Sequence, residues 1–203
     1  MNKTQLTLSA AAFAGLLAVA GCASPAGPGS MPGMDHGNAT TSAPANGTSA
    51  EHNAADVMFA QMMIPHHAQA VEMSDAMLAK ADIPAEVRDL AVKIKEAQAP
   101  EIEKMTAWLK NWNMPVMASS GHSGHSMDGM LTDADLKKLS EAKGTEAAKL
   151  FLTQMIAHHE GAVTMAKTEI SQGSNPEAVQ LSKDIVTSQE AEIQEMRDLL
   201  ATL

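Results

Sequence analysis

From residue 54 onward, apolar positions recur with the period of an α-helix. On a wheel that advances about 100° per residue, with His66 at zero, Phe59, Met62, Met63, Ala70, Met73 and Met77 fall within about 60°. His66 is therefore centred on an apolar stripe, and His67 lies at its edge. The stripe of the following segment joins Ile94, Met105, Trp108 and Trp112 to Gln98 and Glu101. Both patterns return later. His158 is centred among Phe151, Met155, Ala162 and Met165, with His159 beside it, and Ile185, Met196 and Leu199 share a face with Gln189 and Glu192.

Laying His66-His67 over His158-His159 brings Phe59, Met63, Ile64, Ala70, Val71 and Met73 onto Phe151, Met155, Ile156, Ala162, Val163 and Met165. With one residue fewer in the inter-helix turn, Leu90, Ile94, Gln98, Glu101, Ile102, Met105 and Leu109 fall on Leu181, Ile185, Gln189, Glu192, Ile193, Met196 and Leu200. Matching of this extent at helical spacing marks an internal duplication. Each copy reads as two helices. The first pair spans about Ala54 to Lys80 and, after Ile83-Pro84, runs to about Trp112. In the second copy Thr145 is placed to cap a helix that Gly173 stops, and Asn175-Pro176-Glu177 opens the last one. A short helix from Asp133 to Ala142, capped by Thr132, leads into this copy. The pattern predicts an all-α fold: a four-helix bundle of two duplicated αα-hairpins, plus the short linking helix.

The predicted domain is 54–203, with repeat one at 54–112, an island at 113–131 and repeat two at 132–203. Ahead of it, Lys3 and the apolar run Leu6 to Ala20 end in Val19-Ala20-Gly21-Cys22. The run is too short and Ala-rich to span a bilayer. It resembles a lipoprotein signal peptide over 1–21, with Cys22 as the acylated residue and the only Cys in the chain. Residues 22–53 are rich in Gly, Pro, Ser, Thr and Asn and read as a flexible tether. This places the domain on the extracytoplasmic side of a bacterial cell membrane, held there by lipid.

Composition narrows the chemistry. The 203 residues carry a net charge of −10 and 2% aromatics with no Tyr, which argues against nucleic-acid binding. No nucleophile elbow, P-loop or dinucleotide motif occurs. In over-supply are 16 Met and 8 His. The bundle interior should hold His66, His158, Gln98, Gln189, Glu101 and Glu192, walled by Met. Buried polar groups are costly unless satisfied. They imply either a closed polar network or a metal site, with Met63, His66, His67, Met73, Met155, His158, His159 and Met165 as candidate ligands. Gln98, Glu101, Gln189 and Glu192 are candidate supporting or alternative ligands. Thioether sulfur suits cuprous copper, imidazole serves both copper oxidation states, and thioethers survive where thiols oxidise. Imidazole ligands titrating near 6.5 would make binding weaken below about pH 6. Two Met/His islands, Met31, Met34, His36 and then Met114, Met117, His122, His125, Met127, Met130, resemble metal-scavenging arms, the second an exposed excursion from the bundle.

The segments Asp56-Val-Met-Phe-Ala-Gln-Met-Met-Ile-Pro-His-His-Ala-Gln-Ala-Val-Glu-Met and Phe151-Leu-Thr-Gln-Met-Ile-Ala-His-His-Glu-Gly-Ala-Val-Thr-Met-Ala resemble the DUF305 family (domain of unknown function 305). The pattern is Met-Ile-x-His-His with Gln-x-x-Glu-Ile-x-x-Met downstream, and it covers about 54–203. The resemblance implies a ferritin-like bundle, usually exported, with copper handling in some members. Pro100, inside the second helix, departs from the family's pattern. The expected role is a lipid-anchored copper-binding protein, without catalysis, that buffers metal, transfers it to a partner protein or confers resistance. One alternative is a ferritin-like di-metal redox enzyme using iron or manganese, although no Glu-x-x-His pair occurs. The other is a structural or interaction bundle whose polar network sets its register.

Overall fold

The computed structural model describes residues 51–117 and 128–203. Cys22, Met31, Met34, His36, His122, His125 and Met127 lie outside them. Five helices occur in the described residues: α1 (Ala54–Leu78), α2 (Ala85–Asn111), α3 (Asp133–Glu141), α4 (Gly144–Gln172) and α5 (Pro176–Thr202). No strand accompanies them, so the fold is all-α as expected. None of these helices is long and apolar enough to cross a membrane.

Local chemistry sets the ends. Asn53 and Asp56 form a capping box: the Asn53 side chain accepts from the Ala55 and Asp56 amides, and Asp56 accepts from the Asn53 amide at 2.6 Å. Asn53 also donates to the Gln172 carbonyl at 2.8 Å, and His52 stacks on Trp112 with ring centroids 4.6 Å apart. The last residues of the 22–53 tether are thus tied to the bundle. Arg88 of α2 donates to the Leu78 and Lys80 carbonyls, satisfying the end of α1. Asn113, at φ 57, closes α2 in a Schellman turn, with Met114 N–H to Leu109 O and Asn113 N–H to Lys110 O. Thr132 caps α3 and Asn175 caps α5 through their side chains. Thr145 does not cap α4: Gly144 takes φ +54 and starts the helix, so that the cap falls two residues earlier, on Lys143. Both α1 and α2 run unbroken through Pro65 and Pro100.

The hairpins α1–α2 and α4–α5 meet chiefly through α1 against α4, and α3 packs on both. Two apolar clusters fill the interior. One holds Met73, Met77, Leu90, Ile94, Phe151, Leu152, Met155 and Met196. The other holds Phe59, Met63, Met105, Trp108, Leu109, Ala162 and Ile185. On α1 the second cluster precedes the first, and on α4 it follows, so these helices are antiparallel. On all four long helices the clusters part at one level. The residues at that level are His66 and His67, Gln98 and Glu101, His158 and His159, Gln189 and Glu192.

The mid-chain island is only partly an excursion. The Gln69 side chain donates to the Leu131 carbonyl (3.0 Å) and accepts from the Leu131 amide (2.7 Å). A Cβ on Gly161 would stand 1.9 Å from the Asp128 carbonyl oxygen, and Gly129, at φ +85, lies over the backbone of Ala157 and His158. Residues 128–131 are therefore seated on α4, where a glycine at 161 lets the two backbones meet. At the island's other end the Gln61 side chain holds the Pro115 carbonyl at 2.8 Å.

Candidate metal centre

The polar layer contains four buried histidines rather than two. His66, His67 and His159 are fully buried and His158 is 1% exposed. The wheel put His67 and His159 at the stripe's edge, but α2 and α5 close over that edge. They do so with the two glutamates: His67 Nε2 lies 2.7 Å from Glu101 Oε2, and His159 Nε2 lies 2.9 Å from Glu192 Oε2. The duplication thus produces the same imidazole–carboxylate pair twice. The glutamates orient the outer histidines, not His66 and His158.

His66 and His158 face one another, with ring centroids 3.7 Å apart and planes 37° from parallel. Among the described residues none of their four ring nitrogens has a hydrogen-bond partner, and the Nδ1 atoms of His67 and His159 are also unpartnered. The Asp128 backbone comes near enough to His66, and the His66 backbone near enough to His158, to favour the protonated forms slightly, without forming a hydrogen bond. Gln98 adds an unpartnered buried amide and Gln189 an unpartnered oxygen. Burial first, and the neighbouring His67 second, push the His66 pKa down to about 3. Burial and then His66 hold His158 well below its ordinary value. Burial also lowers His159, against the pull of Glu192. The inner rings are therefore neutral near pH 7, each with a free lone pair. Protons do not compete for His66 near pH 6, because the buried ring is already neutral there.

Such a pair is set up to receive a cation. Among the described residues no three His, Cys, Asp or Glu side chains converge in ligating geometry, so nitrogen and oxygen alone do not complete a site. Sulfur stands next in line. Met63 and Met155 are fully buried, each three residues before an inner histidine and thus on the same helix face. Met73 and Met165 lie seven residues beyond their histidines, about 10 Å along the helix axis, away from the layer. Met73 packs in the first apolar cluster. Met165, half-buried, lines a surface cleft with Met58 and Met62. Met114 and Met117 are exposed and Met130 is half-buried. Met62 lies on the α1 stripe and Met58 in the same segment, but neither they nor His52 were singled out as ligands from the sequence.

A second buried group lies outside the layer. Glu169 is 1% exposed and neither oxygen has a donor. Burial first, and the facing Asp56 second, push its pKa up to about 8. Burial works upward on Asp56 too, but the facing Glu169 and hydrogen bonds from the Asn53 and Asn175 amides and Ser174 outweigh it and keep its pKa low.

Residues 56–200 match the family described as domain of unknown function (DUF305). The chain belongs to the DUF305 family. Solved structures of similar chains agree. A DUF305 protein of Streptomyces coelicolor, named as secreted, is 40% identical with a TM-score of 0.67, over 73% of this chain and 91% of that one. A DUF305 fragment from Deinococcus radiodurans is 33% identical with a TM-score of 0.67, over 74% of this chain and 98% of that one. CopM in its Cu(II)-bound form is 37% identical with a TM-score of 0.64, over 72% of this chain and 96% of that one. CopM has also been solved in Cu(I)-bound and Ag-bound forms. Among curated proteins, an uncharacterised protein of Acanthamoeba polyphaga mimivirus is 42% identical over 52 residues, which are 26% of this chain and 34% of that protein. The chain thus spans about a third of that relative's length.

Proposed function

We propose that this protein binds copper, as Cu(I), at the layer formed by His66 and His158 with Met63 and Met155. The observation that carries the reading is the pair of facing, buried, neutral imidazoles with no hydrogen-bond partner. Leaving such groups unmet costs about 1–3 kcal/mol apiece, and a soft cation would use their lone pairs. Glu101 and Glu192 hold the outer imidazoles and fix the layer's geometry. The copper- and silver-bound forms of CopM, a relative of similar fold, support the same metal class. The protein works as a buffer, carrier or resistance factor without catalysis, passing metal to a partner protein. It acts outside the cytoplasm, held to the membrane by lipid on Cys22, with the Met/His arms as auxiliary scavengers. The secreted Streptomyces relative is in keeping with that location. The iron or manganese reading draws less support, because the two buried-layer carboxylates are engaged by imidazoles rather than converging on one point.

The test is competitive titration of metal-free protein with Cu(I), Fe(II) and Mn(II). Cu(I) should bind tightest. The His66→Ala/His158→Ala double variant should lose the tight phase, while Glu101→Gln/Glu192→Gln should weaken it roughly 10–100-fold. A histidine variant that titrates like the parent would refute the site. Complete loss in the glutamate variant, with tight Fe(II) binding by the parent, would favour carboxylate ligation instead.

A further inference from the structure

One cluster of soft donors stands apart from the histidine layer. An open cleft of roughly 380 Å³ lies between the start of α1 and the end of α4. Met58 and Met62 line it from α1, one turn apart on the same face, and Met165 lines it from α4. Phe59 and Glu169 are also in its lining. Met58 is 59% exposed, so core packing does not account for it. Met62 and Met165 are half-buried, able to move their sulfurs without emptying the core. Glu169 presents a buried carboxyl that faces Asp56.

The duplication sharpens the point. The residues corresponding to Met58, Met62 and Met165 in the other copy are Leu150, Gln154 and Met73. Met73 is fully buried in the core. The three-thioether cleft is therefore not a by-product of the repeated helix pattern, because it occurs at one of the two equivalent places. Unlike the sealed histidine layer, it opens to solvent. Three neutral thioethers are a donor set for a soft monovalent cation and a poor one for zinc, iron or magnesium.

We infer that this cleft is a second metal site, in which Met58, Met62 and Met165 bind Cu(I) or Ag(I) through sulfur alone. It does not depend on the histidine layer, which reports through different nuclei.

The test is NMR of the full chain labelled at the methionine methyl carbons, titrated with silver nitrate in chloride-free buffer. The methyl signals of Met58, Met62 and Met165, assigned by single Met→Leu variants, should shift together and saturate at one silver ion. In native mass spectrometry the Met62→Leu/Met165→Leu variant should carry one silver fewer than the parent, with the His66 and His158 ring signals still responding. Stationary methyl signals in the parent would overturn the proposal, whether or not the variants fold. So would loss of that silver ion on His52→Ala/Met114→Leu instead, since His52 and Met114 line the neighbouring cleft that also borders Met58. Failure of the histidine site would appear in the ring signals alone.

Discussion

Replacing His66 with Leu should make the metal-free protein more stable, and the gain should grow as the pH falls. Both ring nitrogens of His66 are buried without a partner. An unmet buried polar group costs about 1–3 kcal/mol, and Leu fills a similar volume with no polar atom. In a domain of this size 1 kcal/mol moves the melting temperature by roughly 2–4 °C, so the gain at pH 7.5 is roughly 2–12 °C. Acid adds a second contribution. The His66 pKa falls from 6.5 in the unfolded chain to about 3 in the fold, through burial and then His67. A base depressed in this way is protonated in the unfolded chain first. Its stability contribution is intact above pH 6.5 and is lost as the pH drops towards 3. The loss is about 1.4 kcal/mol per pH unit, or about 2 kcal/mol at pH 5. His66→Leu escapes that loss. His158 and His159 are depressed as well and remain in both proteins; because His66 helps to hold His158 down, any relief of His158 in the variant adds to the gain at pH 5. Thermal unfolding followed by circular dichroism at pH 7.5 and 5.0, in chelator, measures both quantities. A variant that melts below the parent at pH 7.5, or a difference unchanged at pH 5.0, would refute the reasoning.

Gly161→Ala should destabilise the fold by about 1–3 kcal/mol, because its Cβ would stand 1.9 Å from the Asp128 carbonyl oxygen. Hydrogen exchange at residues 128–131 should quicken; an unchanged urea midpoint with unchanged exchange there would show that the segment is not seated on α4. Glu169→Gln should alter the alkaline side of the stability profile. With its pKa raised to about 8 by burial and then Asp56, Glu169 keeps a proton in the fold that the unfolded chain releases near 4.5. Its contribution is full below pH 4.5 and is lost as the pH rises through 8. Gln cannot ionise, so the variant should gain on the parent between pH 5 and 8.5. A melting difference that is constant across that range would show that Glu169 does not titrate there.

Much of the fold was legible in the sequence because helical periodicity and capping are local. The stripe through Phe59, Met63, Ala70 and Met73 fixed which face of α1 turns inward, and its repeat around His158 fixed the second hairpin. Thr132, Gly173 and Asn175 marked ends that the structure keeps. Sequence also named every member of the polar layer, since a His or Glu recurring on an apolar face has nowhere to go but inside. It did not say who pairs with whom. The wheel treats a helix as isolated and so puts His67 and His159 at an edge. Only the approach of α2 and α5 turns that edge into interior and gives Glu101 and Glu192 to the outer histidines. Only the antiparallel packing of α1 on α4 leaves His66 and His158 facing each other with four nitrogens unmet. The same packing gathers Met165, two turns along α4 from the layer, with Met58 and Met62, which lie more than a hundred residues away in the chain. The contact of residues 128–131 with α4 was hidden for a related reason. Its signal is the missing side chain of Gly161, and a glycine inside a helix announces a close approach without saying what approaches. Periodicity decides which face is buried; long-range geometry decides what that face meets, and the chemistry of this protein resides in those meetings.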